Sequence, residues 1–205
     1  MKYGSLSLQP VYQTIKRIHR NPANPPNIPP RKSSEFKEFR EAYTQLIRTI
    51  SGDRGVYLWI GKAANDQCEF IYVGESRRNR CGLRGRIDDE FNKWYHIYWM
   101  TVFNSNKFDF EVIRMYNTPT KDYSSEVKNV SLKRGSTHLL YCYDFPDEVN
   151  IKTVQDDLIQ LFNNPRGNAK DFRNPPFPDD RILPESKETR KSLEMLAQEI
   201  QPYTY

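Results

Sequence analysis

Residues 55–60 (GVYLWI) and 68–74 (CEFIYVG) are two runs of aromatic and β-branched side chains, separated by GKAANDQ at 61–67. Such runs favour a pleated, half-buried surface, and the segment between them has the chemistry of a turn. A β-hairpin is expected. A two-stranded ribbon is marginal on its own in water, so the rest of the chain must supply further strands or covering helices. Residues 138–145 (HLLYCYDF) read as a buried strand closed by Pro146. Residues 151–162 carry apolar side chains at helical spacing and are ended by Asn163, Asn164 and Pro165.

Around these lie less regular stretches. Residues 1–20 include an amphipathic stretch with Tyr12, Ile15 and Ile18 among Lys16, Arg17, His19 and Arg20. Residues 21–30 (NPANPPNIPP) exclude helix and sheet and form a linker. Ser33 or Ser34 can cap a following helix, with Glu35 in its first turn and Phe36, Phe39, Tyr43, Leu46, Ile47 and Ile50 at helical spacing. Gly52 closes it. A further helix is expected from near Leu83. Asn104, Ser105 and Asn106 read as a turn, the alternation of Phe108, Phe110 and Val112 as a strand, and 117–137 as polar loop. The tail is proline-rich at 174–178, then helical over about 185–200. This gives an arm with linker and helix (1–51), a core (52–170) with an insertion at about 92–137, and a helical tail (171–205).

The net charge of +5 and a pI near 9.0 favour polyanionic partners, nucleic acid before membrane. Cys68, Cys81 and Cys142 are widely spaced with no CxxC, which argues against a zinc site. An odd cysteine count and no apolar leader point to a reducing, cytoplasmic setting. No apolar run approaches the roughly 20 residues of a membrane span.

In the order hairpin, basic loop, helix, strand, helix, the chain carries Gly55-Val56-Tyr57 on the first strand and Tyr72-Val73-Gly74 on the second. An arginine-bearing helix follows (Leu83-Arg84-Gly85-Arg86-Ile87), then a Leu158-Ile159 pair and a Pro165-Arg166-Gly167-Asn168 ending. Together these resemble the GIY-YIG nuclease family over residues 55–168, although either tripeptide alone would be a weak signal and each tyrosine taken singly reads as a sheet aromatic.

The resemblance implies an α+β fold, a small three-stranded antiparallel sheet flanked by helices, with N- and C-terminal helical arms added. It implies an endonuclease hydrolysing DNA phosphodiester bonds with one Mg²⁺, or Mn²⁺, per active site. Tyr57 and Tyr72 would bring hydroxyls to the scissile phosphate. Arg86 would stabilise charge on it, as a permanently charged planar guanidinium can. A carboxylate on the later helix would hold the metal, and Asn168 would support the site. A tyrosine hydroxyl, with a reference pKa near ~10, needs nearby cations to act as a base.

Two positions depart from the family pattern. The carboxylate position falls on Gln155. At about 100° per residue, Ile151, Val154, Leu158, Ile159 and Phe162 form one face with Gln155 inside it, Asp156 pointing away and Asp157 on the flank. Gln155 is a near-isosteric, uncharged copy of glutamate. The intact remainder of the site favours an engineered inactive variant; a natural loss, or a register one or two residues off, are the alternatives. The second departure is Glu90, which stands where relatives often have His or Tyr. His96 or Tyr95 could fill that role from a shifted position, or His96 be a packed histidine, and Glu90 could simply pair with Arg86.

Arg77, Arg78, Arg80 and Arg84 crowd one short segment and are candidates for phosphate contact. The insertion supplies Asn104, Lys107 and Arg114, whose side chains can reach base edges or phosphates. A compact chain that elaborates a catalytic core in this way reads as a restriction-type enzyme on double-stranded DNA, with a homodimer on a palindromic site as one way to cut both strands. A repair, mobile-element or phage nuclease, and a non-catalytic nucleic-acid-binding module, are the alternatives.

Overall fold

The structure is a computed structural model and describes residues 1–8, 10, 14, 34–62, 68–77, 82–92, 100–104, 109–113, 131–132, 138–163 and 179–200. For residues 35, 36, 39, 62, 68–71, 90–92, 100–104, 109–113 and 131–132 it describes the backbone alone. The strands are β1 (Lys2–Ser7), β2 (Gly55–Lys62), β3 (Cys68–Ser76), β4 (Met100–Asn104), β5 (Asp109–Ile113), β6 (Ser131–Leu132) and β7 (His138–Tyr143). The helices are α1 (Ser34–Ile47), α2 (Gly82–Asn92), α3 (Ile151–Leu161) and α4 (Pro184–Glu199).

The fold is α+β. Its main sheet has four antiparallel strands in the order β1-β7-β2-β3. The hairpin and the later strand are where the sequence puts them, with β2 central. The expected three-stranded sheet has a fourth strand, because residues 2–7, ahead of the amphipathic stretch around Tyr12, Ile15 and Ile18, form a strand. Residues 2–7 pair along β7, Lys2 opposite Tyr143 and Ser7 opposite His138. The pairing satisfies an edge of β7 that would otherwise expose a row of backbone donors and acceptors. The insertion contributes a separate three-stranded sheet, β4-β5-β6. Ser131 and Leu132, read above as loop, pair with Glu111 and Phe110, and Asn104 ends β4 opposite Asp109.

Alternation along the strands divides the main sheet into two faces. Val56, Leu58, Ile60, Val73, Leu140 and Cys142 form one core with Ile151, Val154, Leu158, Ile159 and Phe162 of the α3 segment and Leu193 and Ala197 of α4. Burial pushes the Cys142 thiol up to about 12, so it stays protonated there. The opposite face carries Tyr57, Trp59, Tyr72, Leu139 and Tyr141, all buried. That face is left to α2, whose buried Leu83 and Ile87 belong to a helix packed on β2, β3 and α1.

Two tyrosines on the inner strands lean over glycines of the outer ones. A Cβ on Gly74 would lie 2.1 Å from Tyr57 Cζ, and one on Gly4 would lie 2.5 Å from Tyr141 Cζ. Only glycine admits the ring at such a contact.

The ends of the helices are tied by long-range bonds. Gly82 has φ +66°, and Leu83 and Arg84 then donate to the carbonyls of Asp53 and Ser51 at 2.8 and 3.2 Å. Arg54 clamps the turn between β7 and α3, donating to the carbonyls of Val149 (2.9 Å), Phe145 (3.2 Å) and Pro146. The Asn150 side chain accepts from Lys152 N at 3.0 Å and caps α3. No helix among the described residues is long and apolar enough to cross a membrane.

Candidate active site

The two tripeptides meet on the α2 face of the sheet. Tyr57 stands opposite Gly74 and Trp59 opposite Tyr72. The tyrosine rings are 6.1 Å apart between centroids and inclined at 51°. This proximity follows from the hairpin register. Neither ring is presented to solvent: Tyr57 is 0% exposed and Tyr72 is 5% exposed. Arg86 lies half-buried on α2, the helix packed on these strands.

Gln155 reaches the site from the other side. It is buried on α3, and its Nε2 donates to the carbonyl of Val73 at 3.0 Å. Val73 is the middle residue of Tyr72-Val73-Gly74, on the strand at the open edge of the sheet. The amide therefore satisfies an edge carbonyl. Its Oε1 accepts from Lys152 Nζ at 3.1 Å, and the same ammonium pairs with Asp156.

This arrangement tests the fit of a divalent cation. Mg²⁺ requires oxygen ligands, normally including carboxylate. Here the residue at the expected position is neutral, its nitrogen is committed to a carbonyl, and its oxygen faces an ammonium. The residues around Gln155 do not fit the ion.

Asp157, on the flank of the apolar face, has a role that the sequence reading did not assign. It is buried, and its Oδ2 accepts from Leu183 N at 3.0 Å and Ser186 Oγ at 2.7 Å. It caps α4 from a neighbouring helix, a role set by tertiary packing that no periodicity reveals. Asp156 is partly exposed, as expected.

Arg84 and Arg77 are exposed, but each is already engaged. Arg84 Nε donates to the Ile50 carbonyl at 2.8 Å, and Arg77 Nε pairs with Glu75 at 3.0 Å. Arg84 thus helps to hold the start of α2. Glu90 lies on α2 and Asn104 on β4, with their side chains outside what is described. Arg78, Arg80, His96, Lys107, Arg114 and Asn168 lie outside the described residues.

One neighbour drew no attention in the sequence. Ser76, at the end of β3, is 3% exposed, and its Oγ has no hydrogen-bond partner among the described residues. The signal available was alternation: Tyr72, Gly74 and Ser76 share one face.

No family model matches the chain, and no curated protein and no solved structure matches it either.

Proposed function

We propose that this chain is a duplex-DNA-binding protein built on a GIY-YIG-type endonuclease core, whose present side chains leave phosphodiester cleavage weak. The observation that carries the reading is the meeting of Tyr57 and Tyr72 on one face of the hairpin, 6.1 Å apart, beneath the helix that carries Arg86. In this reading Arg86 binds the phosphate and steadies charge on its oxygens, and the tyrosine hydroxyls orient it. Because the phenols are closed off from solvent, the phosphate gains access only after the covering surface shifts. The family's cation would supply Lewis-acid charge stabilisation where a carboxylate holds it.

Base contacts come from the insertion, since phosphate contacts carry no sequence information directly. A restriction-type enzyme acting as a homodimer on a palindromic site is the form this reading takes.

A second reading, a non-catalytic nucleic-acid-binding module, is favoured by the bond between Gln155 and the Val73 carbonyl. A glutamine fully engaged in this way is a working structural residue in its own right.

The deciding experiment incubates supercoiled plasmid with Mg²⁺ or Mn²⁺ and either the parent chain or Gln155→Glu, beside a duplex mobility-shift assay. Binding by both with cleavage recovered only by Gln155→Glu supports the nuclease reading. Binding without any recovered cleavage selects the module. Absence of duplex binding by the parent at low salt defeats both readings.

A further inference from the structure

We infer that Ser76 contacts a backbone phosphate, its hydroxyl donating a hydrogen bond to a non-bridging oxygen. The inference rests on the nucleic-acid-binding reading above and extends it to a residue that the family resemblance does not assign.

Three hydroxyl-bearing side chains line one face of β3. Tyr72 and Ser76 sit on it by alternation, four residues apart, with Gly74 between them. Tyr57 fills the middle from the neighbouring strand: a Cβ on Gly74 would lie 2.3 Å from its Oη. Adjacent positions along one face of a strand are roughly 7 Å apart. The Tyr57 phenol end therefore lies over the strand between Tyr72 and Ser76. Opposite Ser76 stands Gly55, which brings no side chain. β3 is the edge strand of the sheet among the described residues, so the shift of the covering surface that admits a phosphate to the phenols also brings it to Ser76.

Ser76 is the member of the row with unspent hydrogen-bonding capacity. Its Oγ is buried and has no partner among the described residues. A buried polar group in that state is a standing cost unless a partner arrives. A hydroxyl proton suits an anionic oxygen, and hydrogen bonds to charged acceptors are the stronger kind. The partner class is thus a phosphate, carried by a nucleic-acid backbone or free in solution.

The test measures three quantities on the full chain and on Ser76→Ala. The first is thermal unfolding without ligand. The second is affinity for a fluorescein-labelled duplex as a function of salt. The third is competition by inorganic phosphate. The inference expects Ser76→Ala to melt at or above the parent temperature and to bind the duplex about tenfold more weakly. The slope of log affinity against log salt should not change, because no charge is removed. Competition by millimolar phosphate in the parent, lost in Ser76→Ala, would assign the site to the free anion. Persistence of duplex binding through that competition would assign it to the backbone. Equal duplex affinity of the two proteins overturns the role of Ser76 and leaves the nucleic-acid reading standing. A lower melting temperature for Ser76→Ala shows that the hydroxyl serves the fold and also overturns it. A parent that binds no duplex removes both.

Discussion

The Gln155 side-chain amide donates to the backbone carbonyl of Val73 at 3.0 Å, joining α3 to the open edge of the sheet. Replacing it with glutamate sets a carboxylate oxygen against that carbonyl with no proton between them, while Lys152 still faces the other oxygen. Gln155→Glu is expected to be less stable by about 1–2 kcal/mol, and Gln155→Met by a similar amount for losing the buried hydrogen bond between α3 and β3. Urea denaturation measures both. A Gln155→Glu protein as stable as its parent would show that the bond contributes nothing.

Gly74 is the floor under the Tyr57 ring. Gly74→Ala forces that ring aside and is expected to cost about 1–3 kcal/mol, as overpacking does. The double substitution Gly74→Ala with Tyr57→Ala should cost clearly less than the sum of the two single changes, because removing the ring removes the clash. Additive costs in such a cycle would contradict the contact.

Asp157 holds the first turn of α4 through Leu183 and Ser186. Asp157→Ala is expected to lose about 2–3 kcal/mol, since both bonds end on a charged acceptor. Amide exchange at 183–190 should accelerate and trypsin should cut sooner at Lys187 and Lys191. Unchanged exchange there would mean that α4 is docked by its apolar contacts alone.

His138 is buried, and burial holds its imidazole down to about 4. In the unfolded chain it titrates near 6.5. The depressed pKa means the stabilising condition is full above pH 6.5 and is lost as pH falls toward 4, because only the unfolded chain takes up the proton in that window. The slope approaches 1.4 kcal/mol per pH unit, for a total of roughly 3 kcal/mol. His138→Gln should flatten that part of the stability curve. An unchanged slope would assign the acid sensitivity to other groups.

Much of this architecture was legible because it is local. The hairpin is written in two β-prone runs around a turn, and the α3 face is written in 3.6-residue spacing that the buried Ile151, Val154, Leu158, Ile159 and Phe162 bear out. The tail helix was legible for the same reason. What escaped depends on partners distant in sequence. The segment KYGSLS has little strand character, and its pairing comes from the unfilled side of β7. Asp157 is an ordinary polar flank until α4 arrives beside it. The proximity of Tyr57 and Tyr72 was anticipated through the order of motifs, but the closure of Tyr57 from solvent was not, because burial depends on helices packed from elsewhere in the chain.

The placement of β1 has a consequence for synthesis. Lys2 must find Tyr143, so β1 stays without its partner strand until β7 has been made. At translation rates of about 5–20 residues per second, that strand waits roughly 7 to 30 seconds before its partner exists. Its pairing also closes a long loop, which slows the final step further. A nascent chain halted before residue 138 would carry β1 without its partner, with β2 bare along one side. Completion of the sheet is therefore coupled to the synthesis of β7.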